Sequence, residues 1–360
     1  MSASPPSLGE LIDMQIRANG PISIATYMAL CLTHPGAGYY KQGDPLGAAG
    51  DFITAPEISQ IFGELIGFFL VNLWQQMDQP KSFTLLELGP GRGTLMADVL
   101  RVAARAEGFL DAQHLQLFET NPRLIAEQKL QLGTFNPYWS EQVDAVGDGP
   151  VLVVANEFFD ALPIRQFVRG DTGWHERLVG LQHEQRVFGL SPAPIPPESL
   201  PAAVHDAGQG AVYEAGLAGG EVMARLAGAV ARQGGAVLVI DYGYAATQVG
   251  ETLQAVHRHT YADPLAAPGE IDLSAHVDFG ALGAVANVRG LEVHPLATQG
   301  DFLKRLGIAE RAASLTKANP ASAKTIGTAL HRLTAAEQMG DLFKVLCATS
   351  PGLRPLGLSP

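Results

Sequence analysis

The sequence predicts an α/β protein built on an open, doubly wound parallel sheet. Short, mostly apolar runs, Phe83–Leu88, Val151–Ala155 and Ala236–Ile240, have the composition of buried parallel strands. Helical periodicity alternates with them over Leu95–Ala106, Leu124–Leu132 and Glu221–Arg232. Glycines or polar residues follow directly on the strand ends, where such sheets bind ligands.

The first expected element is a short helix opened by the capping box Ser7-Leu-Gly-Glu10, with Leu8, Leu11, Ile12 and Ile16 as its apolar residues. Pro21 breaks the chain, and Ser23 can cap a second helix running to about Leu32. His34 to Pro56, HPGAGYYKQGDPLGAAGDFITAP, shows neither helical nor strand period. Loops of this length are functional or disordered, and Tyr39, Tyr40 and Phe52 argue against disorder. With hinges at Gly43, Gly47 and Gly50, residues 36–57 read as a lid over a ligand. A long helix follows, its face formed by Ile58, Ile61, Phe62, Leu65, Ile66, Phe69, Leu70, Leu73 and Met77, and Pro80 ends it. Strand and helix then alternate, with His114–Phe118 as the second strand. Between Gln166 and Gly216 a hairpin (Phe167–Arg169, Trp174–Leu181, Val187–Leu190) and the linker SPAPIPPESLP interrupt the pattern. The expected organisation is an N-terminal helical and lid region over 1–80, a Rossmann-like core over 81–165 and 217–360, and an inserted cap on the substrate side over 166–216.

Composition narrows the function classes. Of 360 residues 47% are hydrophobic and 17% charged, enough core and too little charge for a disordered chain. The net charge of −12 argues against a general nucleic-acid binder and suits a cationic substrate. Cys31 and Cys347 are too few for a cysteine zinc site and read as buried reduced thiols. The longest apolar run, Leu65 to Trp74, is about half of the ~20 residues that cross a bilayer. The N-terminal stretch MSASPPSLGELIDMQIR carries no basic start and no apolar signal core, so a cytoplasmic protein without membrane insertion is expected. No metal motif, nucleophile elbow or Walker loop is present in the sequence.

The strongest chemical signal is LLELGPGRGTL, where a strand ends in Glu87 and glycines follow at Gly89, Gly91 and Gly93. Glycine allows a sharp turn and a ligand's close approach. The G-x-G-x-G spacing departs from the G-x-G-x-x-G dinucleotide fingerprint and resembles the S-adenosylmethionine loop of Rossmann-like methyltransferases. Glu119, at the end of the next strand, can accept two hydrogen bonds from ribose hydroxyls. Asn156-Glu157-Phe158-Phe159-Asp160 follows the buried strand VLVVA, where the reactive end of a cofactor would lie. Glu157 and Asp160 share a face if this segment is helical. Asp241-Tyr242-Gly243-Tyr244 occupies another strand end. Asp272 can cap a helix, while His276 and Asp278 are only loosely suited to a metal.

GPISIATYM, HPGAGYY, GDFITAPEISQIFGE, LLELGPGRGTL, ANEFFDALPI, VIDYGY and GEIDLSAHVDF resemble, in that order, the MidA-like family of methyltransferases, over about residues 7 to 310. The resemblance implies a class I methyltransferase fold and S-adenosyl-L-methionine as cofactor. Through a mitochondrial member that assembles complex I, it also implies methylation of an arginine on a protein partner such as a complex I subunit. Eukaryotic relatives would act in the mitochondrial matrix and a bacterial one in the cytoplasm. On this reading Glu87, Gly89, Gly91, Gly93, Glu119, Asn156 and Thr54 hold the cofactor. Glu157, Asp160 and Glu57 are then the carboxylates that grip a guanidinium. Three alternatives stay open from the residues: a nicotinamide oxidoreductase, a small-molecule methyltransferase, and a non-catalytic assembly factor that keeps the cofactor as a structural ligand.

Overall fold

The computed structural model describes residues 6–41, 54–257 and 260–358. The chain forms two compact units, each assembled from separate stretches. One comprises Ile53–Phe159, Glu221–Ala245 and Phe279–Pro360; the other comprises Met1–Phe52, Asp160–Gly220 and Ala246–Asp278. This partition differs from the one expected. The long helix after Ser59 belongs with the parallel sheet, and residues 246–278 join the N-terminal helices and the hairpin instead of the core. Such long-range grouping leaves no trace in local periodicity.

The first unit carries the sheet. Its strands longer than two residues are β1 (Phe83–Leu88), β2 (Gln113–Phe118), β3 (Tyr138–Ser140), β4 (Val151–Asn156), β5 (Gly235–Tyr244) and β6 (Phe343–Thr349). The spatial order is β6-β5-β4-β1-β2-β3. All neighbours from β5 to β3 are parallel, and β6 runs antiparallel along β5 from Ala236↔Thr349 to Tyr242↔Phe343. β1 and β4 are buried along their whole length and β5 along all but its last residue, which explains why they are mostly apolar. The order reverses between β1 and β4, the point at which ligands bind in such sheets. Helices α1 (Ala55–Ile58), α2 (Gln60–Gln76), α3 (Thr94–Ala103) and α4 (Pro122–Leu132) belong to this unit. α2 contributes Phe62, Phe69, Leu70 and Leu73, all at most 1% exposed, to the core cluster that includes Leu85, Val154 and Leu238.

The second unit is built on two helices and an antiparallel sheet. Helix Leu8–Asn19 opens with the expected reciprocal box: Ser7 Oγ accepts from the Glu10 N–H at 3.2 Å, and Glu10 Oε2 accepts from the Ser7 N–H at 2.7 Å. Ser23 caps helix Ile24–Thr33. The hairpin strands form at Arg165–Gly170, Gly173–Gln182 and Gln185–Leu190. His183 and Glu184 both have positive φ, as a tight two-residue hairpin turn requires. Asp272–Ser274 is a strand, so Asp272 does not cap a helix; its Oδ1 accepts from the buried Tyr40 hydroxyl at 3.0 Å. The His276 N–H donates to Thr252 Oγ1, and Asp278 Oδ2 accepts from Thr247 Oγ1. Among the described residues no three metal-ligating side chains cluster, and no helix is long and apolar enough to cross a membrane. Both cysteines are buried and free.

Candidate active site

The loop after β1 is fixed by its own backbone. Gly89, Gly91 and Gly93 all adopt the left-handed region, with φ of +61°, +54° and +84°. A Cβ on Gly89 would come 3.0 Å from Phe158 Cδ2, and one on Gly93 would come 3.1 Å from Leu132 Cδ1. These glycines therefore serve the turn and its packing, not only the approach of a ligand. α3 starts at Thr94 with Gly93 as its cap and no side-chain capping bond, and the first N–H groups of a helix have no partner within it.

Around this loop the strand ends present acceptors. Glu87, the penultimate residue of β1, is 2% exposed, and its Oε2 has no hydrogen-bond partner among the described residues. Burial pushes its carboxyl up to about 8, and the nearby Glu119 carboxylate pushes in the same direction. Glu119 follows β2. Its Oε1 accepts from the N–H groups of Thr120 and Asn121 at 2.7 and 2.8 Å, which fixes its position at the start of α4. Gln128 of α4 donates through Nε2 to the Gly91 carbonyl at 2.6 Å and lies 3.4 Å from Glu119 Oε2. Its Oε1 accepts from the Trp139 indole at 2.7 Å. Sequence reasoning missed Gln128, which reads as an ordinary position on an amphipathic helix.

The end of β4 departs from expectation. Glu157 adopts φ +50°, and residues 157–161 are not helical, so Glu157 and Asp160 do not share a helix face. The cause is Asp241, fully buried in β5. Its Oδ2 accepts from the N–H groups of Phe158 and Phe159 at 3.2 and 3.0 Å, and its Oδ1 accepts from Tyr242 at 2.9 Å. The sequence marks Asp241 only as a polar strand end. Phe158 stands edge-on to Phe118, with ring centroids 6.0 Å apart, and walls the loop beside Gly89. Asn156 is 8% exposed; its Nδ2 donates to Glu157 Oε1 at 3.2 Å, and its Oδ1 has no partner among the described residues.

Of the lid expected over 36–57, residues 42–53, with Gly43, Gly47, Gly50 and Phe52, lie outside the described residues. Thr54 begins α1 without a side-chain capping bond, and Glu57 Oε1 accepts from Thr94 Oγ1 at 2.6 Å. Glu57, Glu87, the three glycines, Glu119, Asn156 and Glu157 thus all fall in the sheet unit. Asp160 opens a stretch of the other unit, where its carbonyl accepts from the Ala275 N–H and its carboxylate helps hold the Tyr40 hydroxyl protonated.

S-adenosyl-L-methionine fits this donor set. Two buried oxygens, Glu87 Oε2 and Asn156 Oδ1, lie at the ends of adjacent parallel strands with no donor among the described residues, and a second carboxylate stands beside the first. The cofactor supplies what they lack: an ammonium, a sulfonium charge, and hydroxyl and amino donors.

Known proteins agree with this chemistry. Residues 65–297 match the family described as "Putative S-adenosyl-L-methionine-dependent methyltransferase". The chain is 37% identical to the mitochondrial protein arginine methyltransferase NDUFAF7 homolog of Drosophila melanogaster, covering 96% of this chain and 85% of that protein. It is 36% identical to NDUFAF7 of Danio rerio, covering 92% and 84%. A Burkholderia thailandensis crystal structure with S-adenosylhomocysteine bound superposes with a TM-score of 0.86 at 26% identity, covering 99% of this chain and 97% of that one. The fold is that of the class I methyltransferases, and the chain belongs to this S-adenosyl-L-methionine-dependent methyltransferase family.

Proposed function

We propose that this methyltransferase is a protein arginine N-methyltransferase acting on a protein partner such as a respiratory complex I subunit. The observation that carries the reading is the identity, over nearly the whole chain, with relatives named protein arginine methyltransferases. The net charge of −12 supports it, because an acidic surface attracts a cationic segment at long range. The two buried, free thiols suit a reducing compartment such as the bacterial cytoplasm.

The cofactor brings a methyl group activated on a sulfonium, so the protein's task is to position, orient and exclude water. We assign Glu119 to the ribose hydroxyls, Glu87 to the cationic end, and Asn156 and Thr54 to the remaining polar atoms, with Gly89, Gly91 and Gly93 shaping the loop beneath them. A guanidinium keeps its proton in water, with a pKa of ~13.8. A carboxylate that grips it aligns one nitrogen and helps take up the proton. Glu157 and Glu57 already accept hydrogen bonds from Ala55 and Thr94. Asp160 follows the Phe159 N–H that Asp241 fixes, and we assign it to the guanidinium from its place in the Asn156-Glu157-Phe158-Phe159-Asp160 motif.

Transfer of a radiolabelled methyl from the cofactor to protein tests the function. Asp160→Asn is expected to lower transfer about a hundredfold or more with nearly normal cofactor affinity, the scale of a lost charge contact. Label appearing only in small molecules would replace the protein substrate by a metabolite. Cofactor binding without any transfer would make the protein a non-catalytic assembly factor. Mass spectrometry of arginine methylation in cells with and without the protein identifies the target.

A further inference from the structure

Helix α1 has four residues, far too few for its own hydrogen bonds to hold it. Side chains from two other motifs hold it instead. Thr54 occupies its cap position but makes no side-chain capping bond. The Ala55 N–H donates to Glu157 Oε1 at 3.0 Å, and Asn156 Nδ2 donates to the same oxygen at 3.2 Å. Two residues further on, Glu57 Oε1 accepts from Thr94 Oγ1 at 2.6 Å. Glu157 is the first residue beyond β4, and Thr94 is the first residue of α3 after the glycine loop. α1 is thus bolted at one end to the tip of β4 and at the other to the loop that follows β1.

The Glu157 end of this arrangement is rigid. The residue sits at φ +50°, a conformation that a non-glycine residue keeps only where its surroundings impose it. They do: the Glu157 N–H donates to the Ile240 carbonyl at 2.9 Å, and Asp241 holds the next two N–H groups. The carboxylate is aimed by β5 and delivered to α1.

We propose that Glu157 and Glu57 are positioning residues, a two-point clasp that pins α1 across the glycine loop and the tip of β4 and so presets the cofactor site. The proposal rests on the assignment of the 89–94 loop to the cofactor. It separates the two carboxylates from a direct grip on the substrate. A grip on a guanidinium needs negative charge. A clasp on an N–H or a hydroxyl needs only an acceptor, which the isosteric amide retains.

Amide hydrogen exchange of the ligand-free protein and calorimetry with S-adenosylhomocysteine test this together, on Glu157→Ala, Glu157→Gln, Thr94→Val and Thr94→Ser. In Glu157→Ala and Thr94→Val, residues 55–58 should exchange about tenfold faster, the loss of one charge-assisted bond. Affinity for S-adenosylhomocysteine should fall about five- to tenfold through lost preorganisation. Glu157→Gln and Thr94→Ser keep an acceptor and a hydroxyl, and should stay within about threefold of the parent in both readouts. Unchanged exchange in both Glu157→Ala and Thr94→Val overturns the clasp. Glu157→Gln as damaging as Glu157→Ala returns Glu157 to a charge-dependent role and overturns it as well. Faster exchange with unaltered affinity overturns the positioning role. Failure of the parent chain to bind S-adenosylhomocysteine sinks the cofactor assignment separately, while the exchange readout still decides whether α1 is clasped.

Discussion

Two carboxylates in the sheet unit are equally buried and have opposite fates. Glu64 of α2 is 3% exposed and Glu87 of β1 is 2% exposed. Glu64 has its cations built in: Arg311 reaches both of its oxygens at 2.6 and 2.9 Å, and Arg101 reaches Oε1. Burial pushes its carboxyl up, but the hydrogen bonds from Arg311 and Arg101 outweigh that, and it titrates below the usual carboxylate range. Among the described residues Glu87 has no such partner; burial and a second carboxylate drive it to about 8. A buried acid with internal counter-charges ties helices together. A buried acid beside another acid is costly to ionise and is stable as an anion only when a cation arrives from outside. The first is architecture, and the second suits the place we assign to the cofactor's cationic end.

The largest expected effect breaks the comparison through pH. Glu87 binds its proton more tightly folded than unfolded, so the ligand-free protein loses stability as pH rises from about 4.5, and the loss levels off above about 8. Relative to Glu87→Gln, which carries no such proton, the parent should lose on the order of 4 kcal/mol between pH 5 and 8, read by urea unfolding across that range. Parallel pH profiles for the two proteins would show that Glu87 is ionised and compensated. S-adenosylhomocysteine, whose ammonium brings the missing cation, should bind more tightly as pH approaches 8.

Glu64→Ala comes next. It strands two guanidinium groups that are themselves partly exposed, so the cost should be on the order of 3 kcal/mol at neutral pH, with ligand affinity of the folded protein preserved. The stabilisation by Glu64 is present above the unfolded carboxylate range and lost as pH falls below it, opposite in sign to the Glu87 profile. A loss under 1 kcal/mol would demote the Arg–Glu–Arg cluster to an ordinary surface ion pair. The smallest effect sharpens the distinction at its other edge. Glu119→Ala should weaken S-adenosylhomocysteine by about ten- to a hundredfold, or 1.5–3 kcal/mol, while loss of the two N–H bonds at the start of α4 lowers ligand-free stability by about 1 kcal/mol. Affinity that holds while catalysis falls would give Glu119 another duty.

This pair also shows what could be read in the sequence and what could not. The glycine loop, the strand ends carrying Glu87 and Glu119, and the hairpin of 165–190 follow from local rules of periodicity and turn chemistry, and they form as expected. Glu64 does not: beside Leu65 it reads as a polar gap in an apolar helix. What buries it comes from Arg101, 37 residues away, and from Arg311, 247 residues away. The shape of the β4 tip is hidden from local rules for the same reason. A helical reading of Glu157 to Asp160 is locally reasonable, but Asp241, 82 residues from Phe159, imposes the turn. The membership of 246–278 in the second unit, and of Asp272 in a strand instead of a cap, are also long-range outcomes.

The bridge from Gln128 gives the molecule an optical channel of its own. Trp139, with its indole hydrogen-bonded to Gln128 and Lys129 stacked 5.2 Å from its ring centroid, is one side chain removed from both the Gly91 carbonyl and Glu119. The other two tryptophans, Trp74 and Trp174, are each 2% exposed. A shift in the red edge of intrinsic fluorescence on titration with ligand is therefore the signal expected of Trp139 if ligand occupies the loop, read in real time without label or coupled assay.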